Sequence, residues 1–213
     1  TAKVYKINIS NLNNISFTTV FEKNSRAHAN PEIRHFHTVF WYNYNNTDYW
    51  LLTSGDGIEE TKIWISSDDG NTWNILKEND SKYLLLDFEI KDNFLYWGTD
   101  TTNPSICKMS MENFTITTLI DSIDTVGLPF YSITKTKNKN KFLLIASIGE
   151  GEGTKIILFD ENTSTIKILK ELPFSSVLAK TKMLIDESIF SYKFLYSSDS
   201  DLVARMYKIE LFD

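Results

Sequence analysis

Ser66-Ser67-Asp68-Asp69-Gly70-Asn71-Thr72-Trp73, SSDDGNTW, is the stretch that decides the fold. The run "TKIWI" leads into it and "NILKE" leads out, so it reads as a turn joining two antiparallel strands. The residue types suit a hairpin. Asp68 can accept hydrogen bonds from the turn amides, Gly70 can take a positive φ, and Trp73 is expected to plug the turn into the core. An aspartate in such a turn serves the backbone, so Asp68 is read as structural and not as a catalytic acid.

Working outward from this hairpin, strand-like runs fill the chain, separated by Asn, Asp, Gly and Ser, with no stretch of helical apolar spacing. They recur in groups of four with a period of about 47 residues, the spacing of four-stranded propeller blades. The first group reads "IRHFHTVFW", "DYWLLTSGD", "TKIWISS", "TWNILKE". The second reads "YLLLDFEI", "NFLYWGTD", "SICKMSM", "FTITTLI", and the third "PFYSITKT", "KFLLIASIGE", "TKIILFD", "STIKILKE". A fourth, "VLAKTKMLI", "SIFSYKFLYSS", "LVARMYKIEL", stops after three runs. "AKVYKINI" and "SFTTVFE" at the start match the third and fourth strands of a blade, and "ARMYKIEL" near the C-terminus resembles "AKVYKINI". The expected fold is therefore all-β, a β-propeller of four-stranded antiparallel blades with about four to five visible. The whole of residues 1–213 is read as a single propeller domain or segment: a partial blade over 1–30, blades over about 31–78, 79–122 and 126–172, and a partial blade over 174–213. Because a third strand would be supplied twice in a closed ring, the segment is expected to be part of a larger propeller, with a small ring carrying one redundant edge strand as the alternative; in either case the terminal strand edges need covering or pairing.

Ser66, Asp68, Gly70, Thr72 and Trp73 fit the pattern S-x-D-x-G-x-T-W, and with it the chain resembles the BNR, or Asp-box, sialidase-like propeller family. In that family the boxes lie on the outer rim and serve the fold. The corresponding turns "SMENFTI" and "FDENTSTI" keep acidic and Asn residues without the Gly and Trp. The series "RHFHTVFW", "LLTSGD", Asp box and "FLYWGTD" is also similar to a group of BNR-repeat proteins that are glycosyl hydrolase-like. The resemblance implies a carbohydrate-interacting protein at the cell surface or outside the cell. Classical sialidase activity requires an arginine triad; the chain offers Arg26, Arg34 and Arg205, and the F-R-I-P motif of the family is absent.

Composition narrows the remaining classes. With 28 acidic against 22 basic residues and a net charge of −6, the chain has little with which to line a phosphate-binding groove, and nucleic acid is not an expected partner. No apolar run approaches the ~20 residues that span a bilayer. The single cysteine, Cys107, rules out an internal disulfide and any multi-cysteine metal site, and its place within "SICKMSM" reads as a small buried hydrophobe.

Chemistry is expected on the blade face reached by the loops that enter the first strands and join the second to the third. Arg34, His35 and His37 open one first strand there; the second-to-third loops add Asp56 with Glu59 and Glu60, then Asp100, then Glu150 with Glu152, then Asp199 with Asp201. Arg34, His35, His37, Asp56, Asp100 and Glu150 are the ligand-binding candidates, able to hydrogen-bond sugar hydroxyls and grip an acidic group. His35 and His37 stand two apart, on the same side of one strand, and with Asp56, or with His28 from the preceding loop, could hold a divalent cation. The sequence requires no cofactor beyond such a cation and identifies no catalytic residue. Two functions stay open: a propeller that binds a glycan or other small polar ligand, or a non-catalytic scaffold for protein partners or surface assembly.

Overall fold

The computed structural model describes residues 1–10, 13–25, 31–124, 126–136, 138, 140–147 and 153–172, together with the backbone of three further strands between 183 and 210. Every described element is a strand or a short 3-10 turn, and contacts group the chain into two units, Thr1–Leu85 and Leu86–Asp213.

In the first unit, β1 (Ala2–Asn8) pairs with β2 (Ser16–Lys23) as a two-stranded ladder. The strands β3 (Phe36–Tyr44), β4 (Thr47–Ser54), β5 (Lys62–Ser66) and β6 (Asn74–Glu78) form a four-stranded antiparallel sheet in chain order. Asn45 and Asn46 join β3 to β4 with φ of 50° and 61°, the two left-handed residues that a type I′ hairpin needs and that asparagine tolerates. Ile33, Leu52 and Trp64 form the buried centre of this unit, with Ala2, Val4, Phe21, Phe36 and Trp73 packed around it. Trp64 meets Phe36 edge to face at 5.7 Å and Phe21 at 5.5 Å, geometries that suit the aromatic quadrupole.

The Ser66–Trp73 turn lies at the β5–β6 end of this sheet. Asp68 accepts hydrogen bonds from Ser66 Oγ at 2.8 Å, Thr72 N at 2.9 Å and Thr72 Oγ1 at 2.7 Å. Gly70, at φ 81°, donates its N–H to Ser66 Oγ at 3.0 Å, and the Trp73 indole N–H closes the turn on Gly70 O at 3.0 Å. Trp73 packs the turn against the core of the unit, half-buried with its ring 5.5 Å from Phe21.

The second unit repeats the design. The strands β7 (Glu89–Lys91), β8 (Phe94–Gly98), β9 (Ile106–Ser110) and β10 (Ile116–Ile120) make one four-stranded antiparallel sheet. β11 (Phe130–Lys135), β12 (Lys141–Ser147), β13 (Thr154–Asp160) and β14 (Thr165–Leu172) make another. A three-stranded sheet follows, of β15 (Met183–Asp186), β16 (Ser191–Ser197) and β17 (Ala204–Glu210). β17 is the third strand of its sheet, and β1 belongs to a different sheet. Tyr96, Ile106, Phe130, Phe142, Leu144 and Phe159 are central to one continuous apolar core between the two four-stranded sheets. Cys107 is fully buried in β9, opposite Trp97 on one side and Thr118 on the other.

An acidic hub sits at the edge of that core. Glu161 accepts from Tyr96 Oη at 2.8 Å, Lys91 Nζ at 2.5 Å and Lys108 Nζ at 3.0 Å. Burial pushes the Glu161 carboxyl up, but these three donors outweigh it and hold the group below its ordinary value.

Candidate functional site

At the end of the β3–β6 sheet away from the Ser66–Trp73 turn, Arg34, His35, His37 and Asp56 converge. Two local features of the sequence build this cluster. The first is a bulge at the start of β3. Phe36 pairs with Ser54 and Val39 with Leu52, so β3 spends one residue more than β4 and His37 is released from the regular ladder. A bulge of this kind re-aims a side chain at a strand end. Ile33, fully buried just upstream, anchors the approach and leaves Arg34 and His35 toward solvent.

The second feature is the turn after β4. Gly55 adopts φ 116°, and a Cβ there would lie 2.6 Å from Thr61 Cα, so only glycine allows the chain to reverse at this point. Beyond it Asp56 is held by a braced loop: Ser54 Oγ donates to Glu60 O at 2.9 Å, and Thr61 Oγ1 donates to Gly57 O at 2.8 Å across the 3-10 turn Ile58–Glu60.

Asp56 is the centre of the cluster. Its Oδ2 lies 2.5 Å from Arg34 Nη1 and 3.8 Å from His35 Nδ1, and its Oδ1 lies 3.3 Å from His37 Nε2. The side chains form a gradient of exposure: Arg34 48% and His35 52% exposed, Asp56 20%, His37 1%. The two imidazoles lie 4.8 Å apart between centroids. The inner ring is held from behind, because His37 Nδ1 donates to Leu85 O at 3.2 Å, a carbonyl that also accepts from Thr53 Oγ1 at 3.3 Å. Burial pushes the His37 pKa below its ordinary 6.5, and the neighbouring His35 acts in the same direction against the raising influence of the Leu85 carbonyl and Asp56.

Asp100 lies in the second unit, half-buried in the loop after β8, where Thr99 N donates to Ser105 O at 2.9 Å and Ser105 N to Thr99 Oγ1 at 2.8 Å. Glu150 and Glu152 lie outside the described residues, as do His28, Arg26, Asp199 and Asp201. Arg205 begins the second position of β17, where only the backbone is described. Two participants escaped sequence reasoning. The Leu85 carbonyl orients His37 from a segment 48 residues away, and a backbone atom leaves no mark in residue type. The Glu161 hub sits in a turn that the sequence presents only as a degenerate box, although two lysines on facing strands are a pattern that a strand-by-strand alignment can bring out.

No family model matches the chain, and no curated protein sequence does. Among solved structures it is similar to a protein of unknown function from Bacteroides thetaiotaomicron VPI-5482, with 11% identity, a TM-score of 0.59, and coverage of 85% of this chain and 42% of that one. It is also similar to a chain of a nidogen/laminin complex, with 14% identity, a TM-score of 0.50, and coverage of 69% of this chain and 52% of that one. The chain spans about half or less of the length of these structures. At such identities the likeness concerns the fold: an all-β propeller of four-stranded antiparallel blades. Among the described residues no helix is long and apolar enough to cross a membrane.

Proposed function

We propose that this propeller is of the Asp-box type and binds a glycan or another small polar ligand where Arg34, His35, His37 and Asp56 meet. One observation carries the reading: two separated segments deliver four polar side chains to the sheet end opposite the structural turn, graded from half-exposed Arg34 and His35 to buried His37. A site of this kind offers a guanidinium to an acidic group and imidazole and carboxylate atoms to hydroxyls, over a rigid floor. The reading concerns binding and assigns no catalytic residue. An extracellular or cell-surface location accompanies it through the family resemblance.

The test is a glycan array probed with the chain, followed by calorimetry on the strongest sugar. Arg34→Ala and Asp56→Asn should each weaken binding by about tenfold or more, the loss expected of a charge-assisted hydrogen bond. Trp73→Ala, at the other sheet end, should leave the affinity of the folded protein unchanged. A silent array, or a sugar that both site variants bind like the parent, overturns the reading.

A second reading, a scaffold for protein partners, has its own observation. Tyr5, Ile7, Ile9, Ile15 and Phe17 on the β1–β2 hairpin are each about half exposed or more, and Ile7 lies opposite Phe17 across the ladder. Partner proteins cover apolar patches of this sort. On that reading Phe17→Lys abolishes partner capture and Asp56→Asn leaves it intact.

A further inference from the structure

The contact between His37 and Asp56 has a chemical peculiarity. Leu85 O can only accept, so the proton of the His37 ring sits on Nδ1. In the neutral ring Nε2 then carries a lone pair, and it points at a carboxylate oxygen 3.3 Å away, one acceptor against another. The side chain is 1% exposed, so solvent does not relieve the opposition. Asp56 Oδ2 is likewise buried and, among the described residues, makes no hydrogen bond of proper geometry, although the Arg34 guanidinium lies beside it. A proton or a metal ion held between the two acceptors relieves the opposition.

We propose that His35, His37 and Asp56 form a binding site for a divalent transition-metal ion of the zinc type, with the remaining coordination positions open to water or ligand. The three donor atoms already lie within 4.8 Å of one another. Zinc bonds of about 2.0–2.2 Å place neighbouring tetrahedral ligands about 3.3–3.6 Å apart. The edge from His37 to Asp56 Oδ1 has this length as it stands, and His35, half exposed on the outer side, lies 3.8 Å from the other carboxylate oxygen, Oδ2, and closes on the site by a rotation of its side chain. The Nδ1–H to carbonyl bond behind His37 is the outer-shell support that fixes the tautomer and aims Nε2 at a metal. Two imidazoles with one carboxylate select a first-row transition ion over calcium or magnesium, which prefer oxygen ligands throughout. Arg34 acts here as a competitor, since its guanidinium occupies the Asp56 oxygen on which the ion would draw. The inference goes beyond the polar-ligand reading, which needs no ion.

The test is a zinc titration of the chain against a chromophoric chelator, with cobalt(II) absorption reporting geometry. One ion per chain is expected, with the intense visible bands of low-coordinate cobalt and no displacement by calcium. His35→Ala, at a half-exposed position that leaves the fold intact, and Asp56→Asn should each weaken zinc by about 100-fold, at the upper end of what loss of even an outer-shell partner costs. His37→Ala empties a buried site, so the two milder variants carry the conclusion. Arg34→Ala, which the polar-ligand reading expects to lose sugar, should keep or gain zinc affinity. Failure to bind zinc at one equivalent, affinity that survives both His35→Ala and Asp56→Asn, weakened zinc binding in Arg34→Ala, or nitrogen NMR showing His37 Nε2 protonated in the presence of zinc would each refute the site.

Discussion

Gly98 passes beneath the ring of Phe130 so closely that a Cβ on Gly98 would lie 2.4 Å from Phe130 Cγ and Cδ2. The contact joins the end of β8 to the start of β11, where Phe130 N also donates to Thr99 O at 3.0 Å. Phe130 is 1% exposed, packed within the core of the second unit. Gly98→Ala should therefore destabilise the protein by about 1–3 kcal/mol through overpacking, read from urea midpoints. The same change made in a Phe130→Gly background should cost much less, because the Cβ, Cγ and Cδ2 atoms that lie within 2.5 Å of the added methyl are all gone. An additive double-mutant cycle would show that the closeness is not felt.

The Asp68 carboxylate is held down to a pKa of about 2 from an ordinary 3.8 by the Thr72 amide, the Thr72 hydroxyl and the Ser66 hydroxyl, in that order. A depressed carboxyl contributes stability that is present above the unfolded pKa and lost as pH falls through the folded one. The window for Asp68 thus runs from about pH 4 down to about pH 2. Melting temperatures of the parent should fall across it, and Asp68→Asn should start lower at neutral pH and fall less. Parallel curves for the two proteins would contradict this account of the turn.

Glu161 acts in the same direction at higher pH. Its carboxyl is depressed on balance, so its contribution is complete above the unfolded glutamate value of about 4.3 and fades as the pH drops through its lower folded value. Glu161→Gln keeps the shape and an acceptor for Tyr96, but leaves the ammonium groups of Lys91 and Lys108, 11% and 22% exposed, facing a neutral amide. Allowing for their partial contact with water, the expected loss is about 1–3 kcal/mol at neutral pH. Restoring stability by the further change Lys108→Met would tie the loss to the stranded charge; no loss in Glu161→Gln would remove the hub from the account.

The strand runs were legible because each carries its own punctuation. Asn45-Asn46 and Asp92-Asn93 supply paired left-handed residues between strands, and Ser66 to Trp73 specify a hairpin by residue type. The cluster at Asp56 was half legible. His35 and His37 alternate, and a Gly-Asp turn follows the next strand, so the participants could be named. Their meeting depends on the bulge between Phe36 and Val39, which no residue in that stretch announces. Trp73, by contrast, was legible from the turn's residue types, and it packs on the core of its unit.

Cys107 turns the second unit into its own clock. It is the single thiol of the chain and is sealed between Trp97 and Thr118 with no surface exposed. A thiol reagent can reach it only when the β7–β10 sheet opens, so the slow rate of labelling divided by that of an open thiol gives the opening equilibrium of one sheet, without isotope or spectroscopic probe. A cysteine placed by design elsewhere on the surface would react alone, against a silent background, and the two rates would time the loosening of two regions of the molecule in one tube.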